Sequence, residues 1–226
     1  MIEIEEVKNN SDLKKFVKFP FKLYKDSKYW VPPIISEEIN IFNSDINPAL
    51  KNANVSLYIA IIDNEIVGRI AAIINSIEVN EQKTKKIRFG WFDVIDDLNV
   101  TKKLIDKVIE IGKANNLEYM EGPMGFSNLD KVGVLTYGFD KIGTMVTWYN
   151  HPYYSSHFKK LNFTVEKKYS EKTFSFQNID IDYYFRMSKI IQRRYDFKAV
   201  NFNKIEDALN NVNEMFDLFN KSYSKL

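Results

Sequence analysis

The stretch that decides the fold is "VSLYIAIIDNEIVGRIAAII", from Val55 to Ile74. Two runs of mostly apolar and β-branched residues flank the polar turn "DNE", which is the pattern of a β-hairpin. After a second polar break, the run "IRFGWFDVI" from Ile87 to Ile95 has the same character. Three strands in succession with short connections predict an antiparallel meander.

The periodicity changes after the meander. In "NVTKKLIDKVIEIGKANN", Leu104, Val108 and Ile111 repeat at the spacing of one helical face, and the paired asparagines at the end are typical helix stops. The run that follows, "LEYMEGP", again has the character of a strand. The sequence therefore predicts a helix and then a further strand.

Shorter signals flank this centre. Before it, "IEIEEV" alternates as a half-buried strand does, and two helices follow. Ser11 is the expected N-cap of the first helix, and Pro20 is expected to end or kink it. After the centre, "YYSSHFKKLNF" predicts a short helix, and "FTVEKKY" and "KTFSF" predict two last strands.

The composition excludes several classes of function. The net charge of +2 argues against nucleic acid as the main partner, since phosphate binding needs concentrated positive charge. The absence of cysteine rules out disulfides and thiolate chemistry, and two histidines disfavour a metal site. No apolar run approaches the roughly 20 residues that span a bilayer, and the first residues are polar, so we expect a cytoplasmic protein without a membrane partner.

Three stretches are similar to the GNAT superfamily of N-acetyltransferases. "IIDNEIVGRIAAI" is similar to its second and third strands, "VTKKLIDKVIEIGKANNLEYMEG" to its central helix and the parallel strand after it, and "YYSSHFKKLNF" to its late helix. The resemblance implies an α/β (α+β) fold, with a mixed, mostly antiparallel, twisted sheet flanked by helices. It predicts a GNAT-like acyltransferase domain at residues 1–176 and a C-terminal helical extension at residues 177–226.

The resemblance also implies a reaction and its participants. The family transfers an acyl group from acetyl-CoA or another acyl-CoA to an amine. The residues whose backbone would carry the donor arm are Phe92, Asp93 and Val94. The residues at the N-terminus of the central helix that would hold the pyrophosphate are Asn99, Val100 and Thr101. Free N–H groups and the helix dipole favour an anion there.

The chain departs from the family at this phosphate site. The glycine-rich basic loop of the family is missing, because no Arg, Gln or Gly stands between Asp93 and Thr101. Asp96 and Asp97 stand there instead and would repel phosphate oxygens. We interpret Asp97 as a helix cap that already uses the free N–H groups.

The predicted acid and base also depart from the family pattern. Phe158 stands where the family has its general-acid tyrosine, and Asn162 stands where glycine is usual. Tyr154, one helical turn earlier on the same face, is our candidate acid. Glu121, near the end of the fifth strand, is our candidate base; the alternative is that it caps the amides of the turn after the strand.

Two further features have open interpretations. A histidine can act as a base near neutral pH, so His151 and His157 are additional candidates, although we expect His157 to face solvent. The insertion "GPMGFSNLDKVGVLTYGFD" is rich in glycine and in large apolar residues, and it is a candidate lid over the site.

The last fifty residues predict helices. Tyr184, Met187, Ile190 and Ile191 have helical spacing, and the stretch after them predicts a short strand and an amphipathic helix. This second part weakly parallels the start of the chain. It predicts the first elements of a second GNAT-like unit, or a tail that packs on the first domain or on a second copy in a homodimer.

Three functional hypotheses follow. The first is a GNAT-type N-acyltransferase that uses acyl-CoA and acts on the amine of a small molecule or an amino-acid-like acceptor. The second is a GNAT-like fold without CoA chemistry that serves as a ligand-binding or dimerisation module. The third is a transferase that uses another acyl carrier.

Overall fold

A computed structural model describes residues 1–127, 130–144 and 147–223. The chain divides into two compact units, Met1–Thr164 and Val165–Leu226. The boundary predicted between residues 176 and 177 falls within the second unit. The two units are described separately below.

The first unit is built on a five-stranded sheet. Its strands are β1 (Glu3–Glu6), β2 (Ala53–Ile62), β3 (Glu65–Asn75), β4 (Lys86–Val94) and β5 (Tyr119–Glu121). They lie side by side in chain order. The first four are antiparallel to their neighbours, and β5 runs parallel to β4. The predicted meander and the predicted mixed, mostly antiparallel sheet are confirmed.

The helices of the first unit cover both faces of the sheet. They are α1 (Asn10–Leu23), α2 (Ile35–Ile41), α3 (Leu98–Ala114) and α4 (Tyr153–Lys160), with short 3-10 and π turns at Pro48–Lys51 and Ile77–Glu81. Phe16 and Val17 of α1 pack with Trp91 on one face. Leu104 of α3 and Phe158 of α4 pack on the other face. The predicted order of elements from β1 to α4 is confirmed.

Two details of α1 differ from the prediction. The N-cap is Asn9 rather than Ser11, and its side chain accepts a hydrogen bond from the amide of Asp12 at 3.0 Å. Pro20 does not end the helix, which continues to Leu23. Proline has no N–H to give to the carbonyl four residues earlier, that of Phe16. Arg69 of β3 donates to this carbonyl instead, at 3.0 Å, so the missing backbone bond is replaced.

Strands β4 and β5 stay paired only at their first residues, where Lys86–Arg88 lie beside Tyr119–Glu121. The amide of Met124 still donates to the carbonyl of Phe89, at 2.8 Å. Beyond this point β4 bulges: its register against β3 shifts, and Trp91 adopts a φ of 42°. Bulges redirect the side chains around them. A cleft therefore opens between the end of β4 and the segment that follows β5, residues 122–150.

The two strands predicted after α4 are wrong. Residues 163–175 contain no strand, and side chains such as Val165 and Phe174 are mostly exposed, at 73% and 67%. The alternating pattern of "FTVEKKY" favours a strand, but no strand forms between Phe163 and Tyr169.

The second unit has two long helices, α5 (Ile181–Tyr195) and α6 (Ile205–Tyr223), after a short 3-10 turn at Phe176–Asn178. Both helices were predicted. The short strand expected between them is absent, because residues 196–204 contain no strand. Among the described residues, no helix is both long and apolar enough to cross a membrane.

We predict that Gly90→Ala strongly destabilises the first unit. A Cβ atom at Gly90 would lie 2.2 Å from the carbonyl oxygen of Met124, which is backbone and cannot easily move. At Gly68 the nearest atom is a flexible Leu104 methyl at 2.8 Å, so Gly68→Ala is the matched control. Overpacking costs about 1–3 kcal/mol or more. Urea unfolding should place Gly90→Ala at or above the top of that range and Gly68→Ala near the bottom. Equal losses would contradict the close approach at Gly90.

Candidate functional site

A buried ion pair stands beside the cleft. Arg69 of β3 donates through Nε to Oδ2 of Asp93 on β4 at 2.7 Å, and its Nη2 forms an ion pair with the same oxygen, also at 2.7 Å. Arg69 is 3% exposed and Asp93 is 7% exposed. Since the remaining Nη1 group of Arg69 donates to Phe16, the guanidinium links α1, β3 and β4 at one point.

Two tyrosines extend this pair towards α4. The hydroxyl of Tyr24 donates to Oδ1 of Asp93 at 2.8 Å and lies 3.0 Å from the hydroxyl of Tyr154. Because the proton of Tyr24 is given to Asp93, Tyr154 must be the donor to Tyr24. The Tyr154 oxygen in turn accepts from the amide of Val94, at 2.9 Å. A continuous hydrogen-bonded chain therefore runs from Arg69 to the end of β4.

This environment keeps the tyrosines protonated. Burial, reinforced by the charge of Asp93, raises the pKa of Tyr24 and the pKa of Tyr154 well above the usual value. Burial also raises the pKa of Tyr153, with Asp96 and Asp93 adding to the effect. Loss of the Tyr154 proton would add a second buried negative charge near Asp93. The sequence predicts that Tyr154 gives up its proton as an acid. The geometry favours a different role, in which Tyr154 keeps its proton and acts as a hydrogen-bond donor.

The polar backbone groups of Val94 are already engaged. Tyr154 accepts from its amide, and the hydroxyl of Tyr153 donates to its carbonyl at 2.6 Å. Val94 was one of three residues predicted to carry a donor arm on their backbone. The other two, Phe92 and Asp93, border the cavity in the cleft.

The start of α3 is capped, as the sequence predicts. The side chain of Asp97 accepts from the amide of Asn99 at 2.8 Å, and its carbonyl accepts from the amide of Thr101 at 3.1 Å. Val100 and Thr101 are fully buried. The amides of Asn99 and Thr101 thus already donate to Asp97, and Asp96 adds a negative charge beside them. The N-terminus of α3 does not fit the phosphates of CoA.

The prediction that His157 faces solvent is wrong. Its side chain is buried, with Nδ1 2.8 Å from Oγ1 of Thr101 and Nε2 3.1 Å from Oδ1 of Asp96. Both ring nitrogens are therefore engaged in tying α4 to the start of α3. The helical pattern of α4 alone does not reveal these partners, because they come from a different helix.

His151 has the opposite character. Its ring lies against those of Tyr24 and Tyr153, with centroid distances of 5.0 and 5.4 Å, and the residue is half-buried. Among the described residues, no group is hydrogen-bonded to its ring nitrogens. His151 is therefore an accessible base that packs against Tyr24, the hydrogen-bond partner of Tyr154.

Glu121, the last residue of β5, lies beside the first half of β4. It pairs in register with Arg88, and its carboxylate forms an ion pair with Lys86 at 2.8 Å. Lys86 and Arg88 both also bind the buried Glu78. Arg88 precedes Val94 by six residues, or roughly 20 Å of strand. The structure therefore does not bring the predicted base, Glu121, together with the predicted acid, Tyr154.

The cleft contains a small cavity of about 10 Å³, which is room for one water molecule. Phe92 and Asp93 of β4 border it together with Tyr154, and Val134 and Trp148 close it from the 122–150 segment. The insertion predicted to form a lid thus covers one side of the cavity, although residues 128 and 129 of it lie outside the described residues.

A larger hollow of about 460 Å³ lies away from this chemistry. Asparagines dominate its lining, and Lys51 is its one charged residue. Among the described residues, no group of three or more His, Asp or Glu could hold a metal ion. The small cavity is therefore the better candidate site, because Tyr154, whose pKa is raised, borders it together with Asp93.

Sequence reasoning missed Tyr24 and Arg69. One signal for Arg69 was present: "IVGRIAAII" has a single charge in an otherwise apolar strand, and "FGWFDVI" has a single opposite charge in the next. Two such charges on neighbouring buried strands predict an ion pair, since an unpaired buried charge is very costly. The contact with Tyr24 has no comparable signal.

Comparisons with known proteins give distant likenesses. No family model matches the chain. It is 25% identical over 212 residues to "Protein YghO" of Escherichia coli, covering 92% of this chain and 54% of that protein. It is 29% identical over 142 residues to "Bacterial ceramide synthase" of Caulobacter vibrioides, covering 62% of this chain and 36% of that protein. The chain thus spans about half or less of the length of these curated relatives.

Solved structures are more distant still. A predicted acetyltransferase with acetyl-CoA from Clostridium acetobutylicum is 14% identical, with a TM-score of 0.48, over 76% of this chain and 96% of that chain. A GNAT-family acetyltransferase from Staphylococcus aureus is 22% identical, with a TM-score of 0.39, over 56% of this chain and 75% of that chain. At this distance neither structure informs the reaction or the substrate of this chain.

We predict that Arg69→Met lowers the free energy of unfolding by about 3–5 kcal/mol, the usual cost of leaving a buried charge without its partner. The variant strands both the Asp93 carboxylate and the carbonyl of Phe16. Lys85→Met is the control, because Lys85 forms an exposed ion pair with Glu118. Urea unfolding should show a much smaller loss for the control. Equal losses would show that the Arg69 pair does not organise the site.

We also predict that stability falls steeply above pH 10. Since the pKa values of Tyr24 and Tyr154 are raised in the folded state, their contribution is complete below the unfolded value near 10 and is lost as the pH rises towards the folded values. Each such tyrosine adds a slope of about 1.4 kcal/mol per pH unit. Denaturation between pH 10.5 and pH 11.5 should show a slope smaller by nearly that amount for Tyr154→Phe. An unchanged slope would contradict the buried, protonated Tyr154.

Proposed function

We propose that this chain carries an N-acyltransferase site, in which an acyl group passes from acyl-CoA to an amine in the cleft beside β4. One observation carries the proposal. At the bulged end of β4, where β5 has separated, Tyr154 borders a cavity with Phe92 and Asp93, and the ring of His151 packs on Tyr24, the hydrogen-bond partner of Tyr154. The resemblance of the sequence to the GNAT superfamily supports the same reaction class.

The proposed reaction needs positioning and one proton acceptor, without a covalent enzyme intermediate. The amine nitrogen attacks the thioester carbonyl carbon, a C–N bond forms, and the C–S bond breaks. The CoA sulfur leaves with the electron pair of the C–S bond, and the amine gives up one proton. His151 is the proposed acceptor of that proton. The neutral Tyr154 hydroxyl, whose proton bonds Tyr24 in the unliganded site, is proposed to turn that proton towards the leaving sulfur.

This assignment moves the base from Glu121 to His151. Glu121 is held by Lys86, roughly 20 Å of strand away from the Tyr154 hydroxyl. His151 lies three residues before Tyr154 and contacts the ring of Tyr24, which is hydrogen-bonded to Tyr154. A base must lie within hydrogen-bond reach of the proton that it removes. We propose that His151 meets this requirement when an amine binds in the cleft beside Tyr154.

The acceptor that we propose is a long-chain amino alcohol. A relative of this chain is named a bacterial ceramide synthase. A ceramide is by definition the amide of such an amine with a fatty acid, so its formation is an N-acyl transfer. The walls of the site are largely aromatic, with Phe92, Trp148 and Tyr149 beside the cavity, which suits an apolar chain.

A second candidate function is a ligand-binding module with a GNAT-like fold and no CoA chemistry. The capped start of α3 favours it, since Asp97 uses the amide of Asn99 and Asp96 adds negative charge where phosphate would bind. If CoA does bind, its phosphates need a different position from the one that the family resemblance implies. Calorimetric titration with CoA and with acetyl-CoA separates the two functions, because the module predicts no heat with either.

We predict amide formation when the protein is incubated with palmitoyl-CoA and sphinganine, followed by mass spectrometry. Acetyl-CoA and lysine are tested as the short donor and the amino-acid-like acceptor. His151→Gln should lower kcat about 100-fold or more, the usual contribution of a positioned base. Ser155→Ala, an exposed change in α4 four residues after His151, is the control and should be active. The absence of amide from every pair, together with no heat from CoA, would favour the binding module.

A further inference from the structure

One buried donor of the site has no partner. The indole Nε1 of Trp148 is inaccessible to solvent, and it makes no hydrogen bond within the described residues. An indole nitrogen can only donate, and buried tryptophan nitrogens usually find an acceptor. No other described side chain has such a buried, unpaired nitrogen or oxygen. This exception therefore needs an explanation.

The indole is held in place from several sides. Its ring packs edge-on against Trp91 of the β4 bulge, with a centroid distance of 6.3 Å, and Nζ of Lys131 lies 5.2 Å from its centre. Two residues later, the buried Asn150 accepts from the amide of Leu135 at 2.7 Å and donates back to its carbonyl at 3.2 Å. These contacts fix the segment that carries Trp148, so the unpaired donor belongs to an ordered wall of the cleft.

The cavity beside Trp148 is about the size of one water molecule. Its volume of about 10 Å³ admits a single water molecule. The other polar groups at this point are already paired: Asp93 accepts from Arg69 and Tyr24, and the oxygen of Tyr154 accepts from Val94. Trp148 thus borders this cavity and carries a donor for which the described residues supply no acceptor.

We propose that the Trp148 Nε1–H group binds the carbonyl oxygen of the acyl group and stabilises the negative charge that develops there. This inference rests on the proposed function. When the amine attacks, electrons of the C=O bond move to the oxygen, and they return when the C–S bond breaks. The indole keeps its proton throughout and contributes a preorganised hydrogen bond, which is strongest when the charge is greatest.

The test is Trp148→Phe, which keeps an aromatic ring and removes the N–H group. Loss of one such donor typically lowers kcat 100- to 1,000-fold. The KM for the acyl donor should rise by a much smaller factor, because the hydrogen bond to the uncharged carbonyl is weaker. The melting temperature should stay level or rise, because an unpaired buried polar group is removed. Trp30→Phe, which alters a tryptophan outside the cavity that packs on Phe21 and Tyr24, is the control and should keep its kcat.

A binding measurement separates this inference from the proposed function. Acetyl-CoA is compared with S-ethyl-CoA, which lacks the carbonyl oxygen. The wild-type protein should bind acetyl-CoA more tightly, and Trp148→Phe should bind both equally. This result without any amide formation would support Trp148 as a carbonyl donor and overturn the transferase. An unchanged kcat in Trp148→Phe, or a joint fall of kcat and melting temperature, would overturn the inference alone. A wild-type protein that neither forms amide nor prefers acetyl-CoA would overturn both.

Discussion

The ion pair between Arg69 and Asp93 is the interaction on which the site depends. Two charges buried between β3 and β4 are tolerable only when each is paired and hydrogen-bonded. Arg69 meets this need partly through the carbonyl of Phe16, which Pro20 leaves without its helical partner. Asp93 meets it partly through Tyr24. The position of α1 on the sheet is therefore tied to the charge balance of the core.

The same interaction sets what the neighbouring groups can do. Asp93 lies in the cleft but is committed to Arg69 and Tyr24, so it is a structural anion rather than a free base. Tyr154 is buried beside it and keeps its proton, which suits a hydrogen-bond donor. His157 is used between α4 and α3. Among these groups, His151 is left with accessible nitrogens, and this is why the proton transfer is assigned to it.

Much of the fold was predictable because its long elements have strong local patterns. The meander from Val55 to Ile95 and the amphipathic helix α3 were predictable from periodicity alone. The N-cap of α3 was predictable from the residue type of Asp97. The failures arose where a partner distant in sequence decided the outcome. Pro20 stays within α1 because Arg69 replaces its missing bond. The pattern after Phe163 resembles a strand, but it has no neighbour in the described sheet.

The site was less predictable than the fold. Tyr154 and Asp93 were identified from the family pattern, but their shared network requires Tyr24, which is 130 residues from Tyr154 in the chain. Glu121 is a carboxylate at a strand end, which suits a catalytic base. Its side chain, however, forms an ion pair with Lys86 on the neighbouring strand. Trp148 carried no sequence signal, because an unpaired indole is visible only once its surroundings are known.

The central claim is that acyl transfer takes place at the bulged end of β4, between Tyr154 and Trp148. The most direct measurement is a crystal structure with a ketone analogue of an acyl-CoA, in which a methylene group replaces the thioester sulfur. We predict that the analogue's carbonyl oxygen lies within hydrogen-bond distance of Trp148 Nε1. The methylene group that replaces the sulfur should lie near the Tyr154 hydroxyl. An analogue bound away from this cleft, with the cavity beside Phe92 unchanged, would contradict it.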